Sequence, residues 1–475
     1  MSLRAHLRPL DLRAVLGHLA GLVRLMGWLL LPPTVLAWFL RELMVAASFT
    51  VVSAAALLIG YWGRRLFPKE LHLREAFVVT ALAYPLFAFT GAVVFLPAAP
   101  FIDGFFESMS GFTTTGLSVV DVDRLPSSLL FFRAYMQWIG GAGIVILSVA
   151  VWNATRPTGF RFRVYGSAPE DERAAGSVQA TARQLVRIYA VLTIVVCIAF
   201  VASGIPVGDA VLHGLATIST GGFSPHSASL GEHASSRAVL AVAIGGMLLG
   251  AISFHNYQRI AGRLSGHRRD PQVIALGIVV LTAASVLLTM EGEPWEALFD
   301  TVSAVTTTGF SLDDPALWSP SRKALVTLLM TIGGSSASTA GGLKLMRFIV
   351  LLKLAQWTLR RSLLPAEAQV PLKYAGTAIE AEPLRHLLGF VVVYLLLLFA
   401  GAVALVLAGF PTQDALFESA SAVGTVGLSS GITDAGLPIW VKLMLCLEMW
   451  AGRLEVLPVL VLLYPGTWKL RRRSR

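Results

Sequence analysis

Four segments of this sequence repeat a pattern of threonine, glycine and serine that is suited to holding a small cation. They read DGFFESMSGFTTTGLS from Asp103, DAVLHGLATISTGGFS from Asp209, EALFDTVSAVTTTGFS from Glu296 and DALFESASAVGTVGLS from Asp414. We align them on Gly116, Gly222, Gly309 and Gly427. An acid lies thirteen residues before each glycine, threonine lies two before and serine two after. The polar or charged residues nine before are Glu107, His213, Asp300 and Glu418. This shared register indicates one repeated structural unit.

Backbone carbonyl oxygens around each glycine are the predicted cation ligands. Hard oxygen ligands can replace the hydration shell of an alkali cation. Glycine accepts a positive φ and places no Cβ in a narrow passage, and a threonine hydroxyl can brace the loop. We predict a selectivity filter for potassium, the only metal ion expected here, made of four residues per segment: Thr113, Thr114, Thr115 and Gly116; Ser219, Thr220, Gly221 and Gly222; Thr306, Thr307, Thr308 and Gly309; Gly424, Thr425, Val426 and Gly427. The residues directly before the second and fourth register glycines, Gly221 and Val426, carry no hydroxyl. Coordination by a hydroxyl at this position of every repeat is therefore excluded.

Each filter segment follows a stretch of about ten residues that favours a short helix. The repeated acid lies at the expected N-cap, and the Thr/Ser/Gly residues end the helix. The carboxyl end of such a helix carries roughly half a negative charge, which favours a cation beyond it. Non-helical backbone at membrane depth is tolerated only where protein or water satisfies it. We therefore expect the four loops to line one aqueous path. Flexible turns between helices are the alternative, but they do not explain the shared register.

The composition is that of a membrane protein. Of the 475 residues, 55% are apolar and only 14% charged, whereas soluble domains spend roughly a quarter of their residues on charge. Apolar runs reach the roughly 20 residues that cross a bilayer. We predict ten spans, near residues 24–41, 44–62, 75–98, 128–152, 182–204, 237–258, 271–290, 323–358, 385–410 and 439–464.

The predicted fold is an all-α polytopic membrane protein with ten transmembrane helices. Four M1-pore loop-M2 repeats in a pseudo-four-fold arrangement follow two N-terminal helices. The predicted boundaries are 1–70 for the N-terminal extension, 71–155 for repeat 1 (filter 113–118), 180–265 for repeat 2 (filter 219–224), 270–362 for repeat 3 (filter 306–311, gating loop 333–342) and 383–475 for repeat 4 (filter 424–429).

The excess of basic residues is explained by membrane topology. Lys and Arg number 38 against 28 Asp and Glu. They cluster on alternate sides of paired spans: Arg64, Arg65, Lys69 and Arg74; Arg156, Arg161 and Arg163; Arg259, Arg263, Arg268 and Arg269; Arg360 and Arg361; Arg471, Arg472 and Arg473. This positive-inside pattern predicts cytoplasmic termini in the lipid bilayer of a bacterial inner membrane. A surface for nucleic acid or anionic lipid is the alternative, and we expect no nucleic-acid partner.

Repeat 3 contains a candidate gate. A helix over residues 323–360 would be about 57 Å long, far beyond the roughly 30 Å hydrocarbon layer. The break falls in TIGGSSASTAGGLK, whose polar backbone requires a water-filled cavity. We predict gate residues Gly333, Gly334, Ser335, Ser336, Ser338, Thr339, Gly341, Gly342 and Arg453. Arg453 is a charge within the last span, where ionisable residues are functional by default, and loop carbonyls are candidate partners. A static bend and an ion pair between spans are the alternatives. Lys344 and Arg347 are expected to be anchors at the membrane interface.

These motifs resemble the TrkH/KtrB/HKT superfamily of potassium transporters, and the two leading spans resemble its TrkH branch. The resemblance covers nearly the whole chain and rests on the four filters, QWIGGAG from Gln137, IGGSSASTAGGLK from Ile332 and AGRLE from Ala451. It implies a homodimer with one pore per subunit, an intramembrane gating loop and a cytosolic nucleotide-binding regulatory subunit of the TrkA type. In the plant-related branch a serine at the first filter glycine accompanies sodium transport, so Gly116 indicates potassium. No cofactor is expected, and potassium is the transported ion.

Other functions explain the sequence less well. A coupled potassium/sodium or potassium/proton symporter also uses broken helices at the midplane, and this alternative stays open. Gly427 to Gly431 match the G-x-S-x-G pattern of serine hydrolases, but that pattern needs a strand-turn-helix elbow and a histidine partner. A membrane scaffold leaves the four filters unexplained. We therefore expect a channel-like transporter and no enzyme.

Overall fold

The computed structural model describes residues 10–66, 72–154, 178–260, 270–291, 293–365 and 370–468. Within these residues the chain is mostly helical. The helices are α1 (Leu12–Leu29), α2 (Leu31–Phe39), α3 (Leu43–Leu66), α4 (Leu73–Phe95), α5 (Phe101–Phe112), α6 (Ser127–Ala154), α7 (Val178–Ala202), α8 (Val207–Ile218), α9 (Arg237–Ala251), α10 (Phe254–Ile260), α11 (Pro271–Glu291), α12 (Pro294–Val305), α13 (Pro320–Ile332), α14 (Leu345–Ser362), α15 (Ala381–Leu407), α16 (Thr412–Gly424), α17 (Ile439–Arg453) and α18 (Leu457–Leu463).

Short 3₁₀ turns and one hairpin complete the described structure. The 3₁₀ turns are Val122–Arg124, Gly231–His233, Pro315–Leu317 and Pro465–Trp468. Strands β1 (Lys373–Tyr374) and β2 (Thr377–Ala378) pair antiparallel. The two residues between them, Ala375 and Gly376, both have positive φ, as a tight two-residue hairpin turn requires. The sequence analysis did not predict this hairpin.

Seven helical segments are long and apolar enough to cross a membrane, and the bent pair α9 and α10 makes eight among the described residues. Large apolar side chains on these segments are exposed, for example Leu281 at 69% and Leu396 at 62%. Exposed apolar faces of this size are suited to lipid rather than water. The chain is therefore an all-α polytopic membrane protein, as predicted.

Three predicted spans are broken helices. The break predicted in repeat 3 is confirmed, because α13 ends at Ile332 and α14 begins at Leu345. The prediction that the spans over 237–258 and 439–464 are continuous helices was wrong. α9 and α10 meet at 93°, and α17 and α18 are separated by Glu455 and Val456, which both have positive φ. Pro458 lies in the first turn of α18, where its missing N–H costs no helical hydrogen bond.

The first span begins earlier than predicted. Helix α1 starts at Leu12, and Asp11 caps it by accepting hydrogen bonds from the backbone N–H groups of Arg13 and Ala14. Helix α1 ends at Leu29, and α2 begins at Leu31 with Pro32 and Pro33 in its first turn.

The described chain forms two compact units. The first comprises Met1–Met109, Leu125–Phe132 and Leu454–Arg475. In it α1 packs on α3 at small residues, because a Cβ on Gly60 would meet the backbone of Ala20 and Arg24. Close helix approach at small residues is typical of membrane proteins. Arg74 also donates to the Gly466 carbonyl at 2.6 Å.

The second unit comprises Ser110–Arg124 and Arg133–Arg453. It contains all four filter segments and the predicted gating loop. Several basic residues of the topology argument lie outside the described residues: Lys69, Arg156, Arg161, Arg163, Arg263, Arg268, Arg269, Arg471, Arg472 and Arg473. The positive-inside orientation stays a prediction, and so do the proposed repeat boundaries.

Candidate ion pathway

Four short helices lead into the filter segments: α5, α8, α12 and α16. Each ends three or four residues before its register glycine. The repeated acid lies at the third residue of each helix, so the prediction that it is the N-cap was wrong. A proline instead precedes or begins every helix: Pro100, Pro206, Pro294 and Pro411. Proline supplies a φ that is already helical, and an acid in the first turn still complements the helix dipole.

The backbone after each helix follows the same path in all four repeats. The threonine two before the glycine is left-handed, with φ between 50° and 56°: Thr114, Thr220, Thr307 and Thr425. The next residue donates its N–H to the carbonyl five residues earlier, at 2.9 Å in every repeat. This hydrogen bond closes the helix end as in a Schellman motif. The register glycines also have positive φ, from 76° to 100°.

The four loops form a closed ring. A Cβ built on any register glycine would lie closer than 3.0 Å to a carbonyl oxygen of the next loop. The pairs are Gly116 with Gly221, Gly222 with Thr308, Gly309 with Val426, and Gly427 with Thr115. Contacts therefore run from repeat 1 to 2, 3, 4 and back to 1. Glycine is required at these positions by both φ and space, and the neighbouring carbonyl always belongs to the residue just before a register glycine.

Gln137 explains why the second loop differs in sequence. Its side chain occupies the space that a Cβ on Gly221 would need. Its amide Nε2 donates to the Gly221 carbonyl at 2.5 Å, and its Oε1 accepts from the Phe223 N–H at 3.0 Å. Gln137 is fully buried on α6. In the sequence Gln137 stands out only as part of the QWIGGAG motif, although an amide in an apolar helix itself indicates a buried polar contact.

In the other three repeats, a serine of the short helix before the filter (the pore helix: α5, α12 or α16) holds its loop in a similar way. Ser110 and Ser421 accept hydrogen bonds from the Gly116 and Gly427 N–H groups, each at 3.0 Å. Ser303 donates to the Phe310 carbonyl at 2.6 Å. Repeat 2 has Ala216 at this position. The loop without a serine is thus the loop that Gln137 holds.

The polar residues nine before each glycine hold the chain beyond the filter in at least two repeats. His213 Nε2 lies 3.2 Å from Ser224 Oγ, and Glu418 accepts from Ser429 Oγ at 2.9 Å. Both serines are those two residues after the register glycine. In repeat 3 the equivalent Asp300 is paired with Arg322. In repeats 2 and 4 the repeated polar residue and the repeated serine are therefore partners, which sequence spacing did not reveal.

The loop between α13 and α14 packs directly against the ends of the pore helices and filter segments. Thr339 Oγ1 lies 2.9 Å from the Ile218 carbonyl at the end of α8. The Gly341 N–H donates to Thr307 Oγ1 at 2.6 Å, and the Gly342 N–H donates to the Gly424 carbonyl at 3.0 Å. All predicted loop residues of the gate are buried: Gly333, Gly334, Ser335, Ser336, Ser338, Thr339, Gly341 and Gly342.

Arg453 is positioned against this loop, at the end of α17. Its guanidinium donates from Nη1 to the Thr339 carbonyl at 2.8 Å and from Nη2 to the Gly140 carbonyl at 3.2 Å. Arg453 is only 3% exposed. A loop carbonyl is thus a partner of Arg453, as the sequence predicted, and hydrogen bonds from a charged donor are stronger than neutral ones.

Lys344 belongs to the loop rather than to a membrane interface. It is 6% exposed, has a φ of 76°, and donates from Nζ to the Ala340 carbonyl. The expectation of an interfacial anchor was wrong because this side chain turns back into its own loop. The guanidinium carbon of Arg347 lies 4.1 Å from the Phe390 ring centre, and its role as an interfacial anchor stays a prediction.

Glycines in the second helix of three repeats permit close approach to their own pore helices. A Cβ on Gly140 would meet the Phe112 carbonyl, one on Gly250 the Ile218 carbonyl, and one on Gly452 the Val423 carbonyl. Gly245 of the same helix as Gly250 has open space around it. Close helix approach at small residues is typical of membrane proteins.

Known proteins are similar to this chain in sequence and in fold. A family model described as TrkH, cation transport protein, matches residues 24–268 and 279–466. The chain is 31% identical to the Trk system potassium uptake protein TrkH of Halomonas elongata, over 97% of this chain and 100% of that protein. It is 31% identical to TrkH of Escherichia coli K12, over 96% of this chain and 99% of that protein.

A solved structure agrees as well. The crystal structure of the potassium transporter TrkH from Vibrio parahaemolyticus superposes with a TM-score of 0.85 at 28% identity, covering 97% of this chain and 100% of that chain. The resemblance inferred from the motifs is confirmed, and the family is one of transporters rather than enzymes. This chain belongs to the TrkH family of cation transport proteins.

Proposed function

We propose that this chain takes up potassium across the cell membrane through the ring of filter loops. The observation that carries the proposal is the closed ring, in which carbonyls of Thr115, Gly221, Thr308 and Val426 each lie beside a neighbouring glycine. Oxygen ligands of this kind replace the hydration shell of an alkali cation. Relatives named as potassium uptake proteins support potassium as that cation.

The filter selects potassium over sodium by holding its carbonyls at fixed positions. There is no room for a side chain at position 116. Glycine at this position is the feature that the family resemblance links to potassium. Ser110 and Ser421 accept hydrogen bonds from the Gly116 and Gly427 N–H groups, and Gln137 donates one to the Gly221 carbonyl, so these side chains hold the loops in place. Rigid ligands cost less to organise around an ion than flexible ones, and this supports selection by the backbone.

The loop over residues 333–342 is the gate, and Arg453 stabilises its closed arrangement. Support comes from the hydrogen bonds that join the loop to Thr307 and Gly424. Arg453 adds a hydrogen bond to Thr339 and brings a positive charge close to the loop. Because a positive charge opposes cation passage, displacing the loop together with Arg453 would open the path.

The protein works as a homodimer in the bacterial inner membrane, with both termini cytoplasmic. A cytosolic nucleotide-binding subunit of the TrkA type controls the gate. The Trk system names of the relatives support a multi-component system, and the basic clusters support the orientation. No nucleotide-binding glycine fingerprint occurs in this chain, so nucleotide control requires a separate subunit.

Uptake in cells tests the proposal. The chain is expressed in a bacterium that lacks its own potassium uptake systems, and growth at low external potassium is measured together with rubidium uptake. We expect growth to be restored and rubidium to enter. The matched variant Gly309→Val places a side chain against the Val426 carbonyl and should abolish both. Equal uptake by wild type and variant at equal membrane abundance would contradict a pathway through the ring.

Coupled symport remains the second candidate, and ion gradients separate it from channel-like flux. In liposomes with equal potassium on both sides, a pH or sodium gradient drives net potassium movement only if the fluxes are coupled. A channel gives no net movement when voltage is clamped at zero. Net movement under either gradient would favour the symporter.

A further inference from the structure

Glu448 forms a buried polar cluster behind the fourth filter loop. It lies on α17, is 3% exposed, and packs between α15 and α16. A Cβ on Gly401 of α15 would collide with its Oε1, so the absence of a side chain there makes room for the carboxyl group. The proposed function assigns no role to this acid.

The donor count at Ser419 indicates the protonation state of Glu448. Ser419 Oγ lies 2.7 Å from the Leu398 carbonyl and 2.7 Å from Glu448 Oε1. A serine hydroxyl has one hydrogen to donate and can accept others. A carbonyl and an ionised carboxylate both lack a hydrogen, so one of the two contacts would have no donor. A protonated Glu448 supplies that hydrogen.

The charges around Glu448 agree with a neutral acid. Among the described residues no Lys or Arg forms an ion pair with it. The titratable groups that act on it electrostatically are Tyr394 of α15 and Glu418 of α16, and neither is a cation. On its own helix, Lys442 donates to the Ala435 carbonyl at 2.9 Å, and Arg453 donates to loop and α6 carbonyls.

Within the part of the chain that the structure describes, the second carboxyl oxygen of Glu448 has no hydrogen-bond partner. Glu448 Oε2 and the Tyr394 hydroxyl are both buried there without one. An ionised carboxylate with one shared hydrogen bond and no cation costs several kcal/mol in a protein interior. A neutral carboxyl avoids that cost.

We propose that Glu448 is a proton-binding site, holding one proton in the membrane interior between α15, α16 and α17. The site binds H⁺ from water to form the carboxylic acid and releases the same H⁺, with no other bond made or broken. Ser419 lies five residues before Gly424, whose carbonyl accepts the Gly342 N–H of the loop. The proton therefore neutralises a carboxyl group beside the pore helix that contacts the proposed gate.

Infrared difference spectroscopy of the reconstituted full chain at neutral pH tests this proposal. Subtracting the spectrum of Glu448→Gln from that of wild type should show one carbonyl band of a protonated carboxylic acid. The control Glu382→Gln, which removes an exposed carboxyl on α15, should leave that band unchanged. A difference spectrum with only carboxylate bands would overturn the proposal, since Glu448 would then be ionised.

A second variant keeps the test independent of how well Glu448→Gln folds. Ser419→Ala removes the hydroxyl that contacts Glu448 Oε1, so the acid band should shift in frequency when this contact is lost. An acid band that does not respond to Ser419→Ala would show that it belongs to another residue and contradict the assignment. Both infrared measurements are made without any ion flux. Failure of the potassium proposal would therefore leave this test intact.

Discussion

Replacing Gln137 with alanine should reduce the preference for potassium. Gln137 holds the Gly221 carbonyl and the Phe223 N–H of the second loop. The loop has Ala216 where the other repeats have serine, so the hydroxyl that braces each of the other three loops is missing from it. The variant leaves a carbonyl of the ring free to move.

The magnitude follows from the two hydrogen bonds. An unsatisfied buried donor or acceptor costs about 1–3 kcal/mol, so the second loop loses about 2–6 kcal/mol of local stabilisation when both partners go. If about 1.4 kcal/mol of this lost stabilisation falls on the difference between potassium and sodium binding, the ratio of the two affinities changes about tenfold. We therefore expect the potassium-to-sodium permeability ratio to fall about tenfold, with total flux retained.

Bi-ionic reversal potentials in planar bilayers or liposomes measure this ratio directly. The matched control Gln137→Glu keeps an oxygen to accept from Phe223 but loses the amide donor to Gly221, so its ratio should lie between those of Gln137→Ala and wild type. Thermal unfolding and gel filtration confirm that all three proteins are folded. An unchanged ratio in folded Gln137→Ala would refute the view that Gln137 fixes a filter carbonyl.

Three further variants test the filter and the gate. Gly116→Ser should lower discrimination against sodium, measured by reversal potential, because its φ of 100° and the neighbouring Gly221 carbonyl leave no room for a side chain. Arg453→Gln should raise resting potassium flux in liposomes several-fold, because the charge-assisted bonds from Arg453 contribute about 1.5–3 kcal/mol each; unchanged flux would count against its gating role. Lys344→Met should also raise resting flux, since it removes the bond from Nζ to the Ala340 carbonyl, whereas Arg360→Met, on the exposed end of α14, should not.

The repeated register predicted the four loops and their common backbone path. Four matching segments identified the loops, and the structure gives the four threonines and four glycines the same backbone conformations. The length of residues 323–360 also predicted a break, because no bilayer accommodates so long a helix. These predictions depended on sequence spacing and on helix length, which are properties of the chain alone.

Long-range contacts and local backbone conformations could not be predicted from the sequence. Gln137 and Gly221 are 84 residues apart, and nothing in their spacing shows that they meet. The break at Glu455 and Val456 is produced by two residues in a left-handed conformation that most side chains avoid. The burial of Lys344 likewise depends on a loop path that no periodicity describes.

Cation flux through the purified protein in liposomes is the most direct test of the central claim. Potassium, rubidium, sodium or lithium is supplied as the only permeant ion, with no regulatory subunit, for wild type and for a variant with residues 333–342 shortened. We expect potassium and rubidium flux to exceed sodium and lithium flux by about tenfold or more, and the shortened loop to raise the potassium flux. Equal flux of all four ions, or no flux even with the shortened loop, would contradict a potassium-selective pathway through the ring.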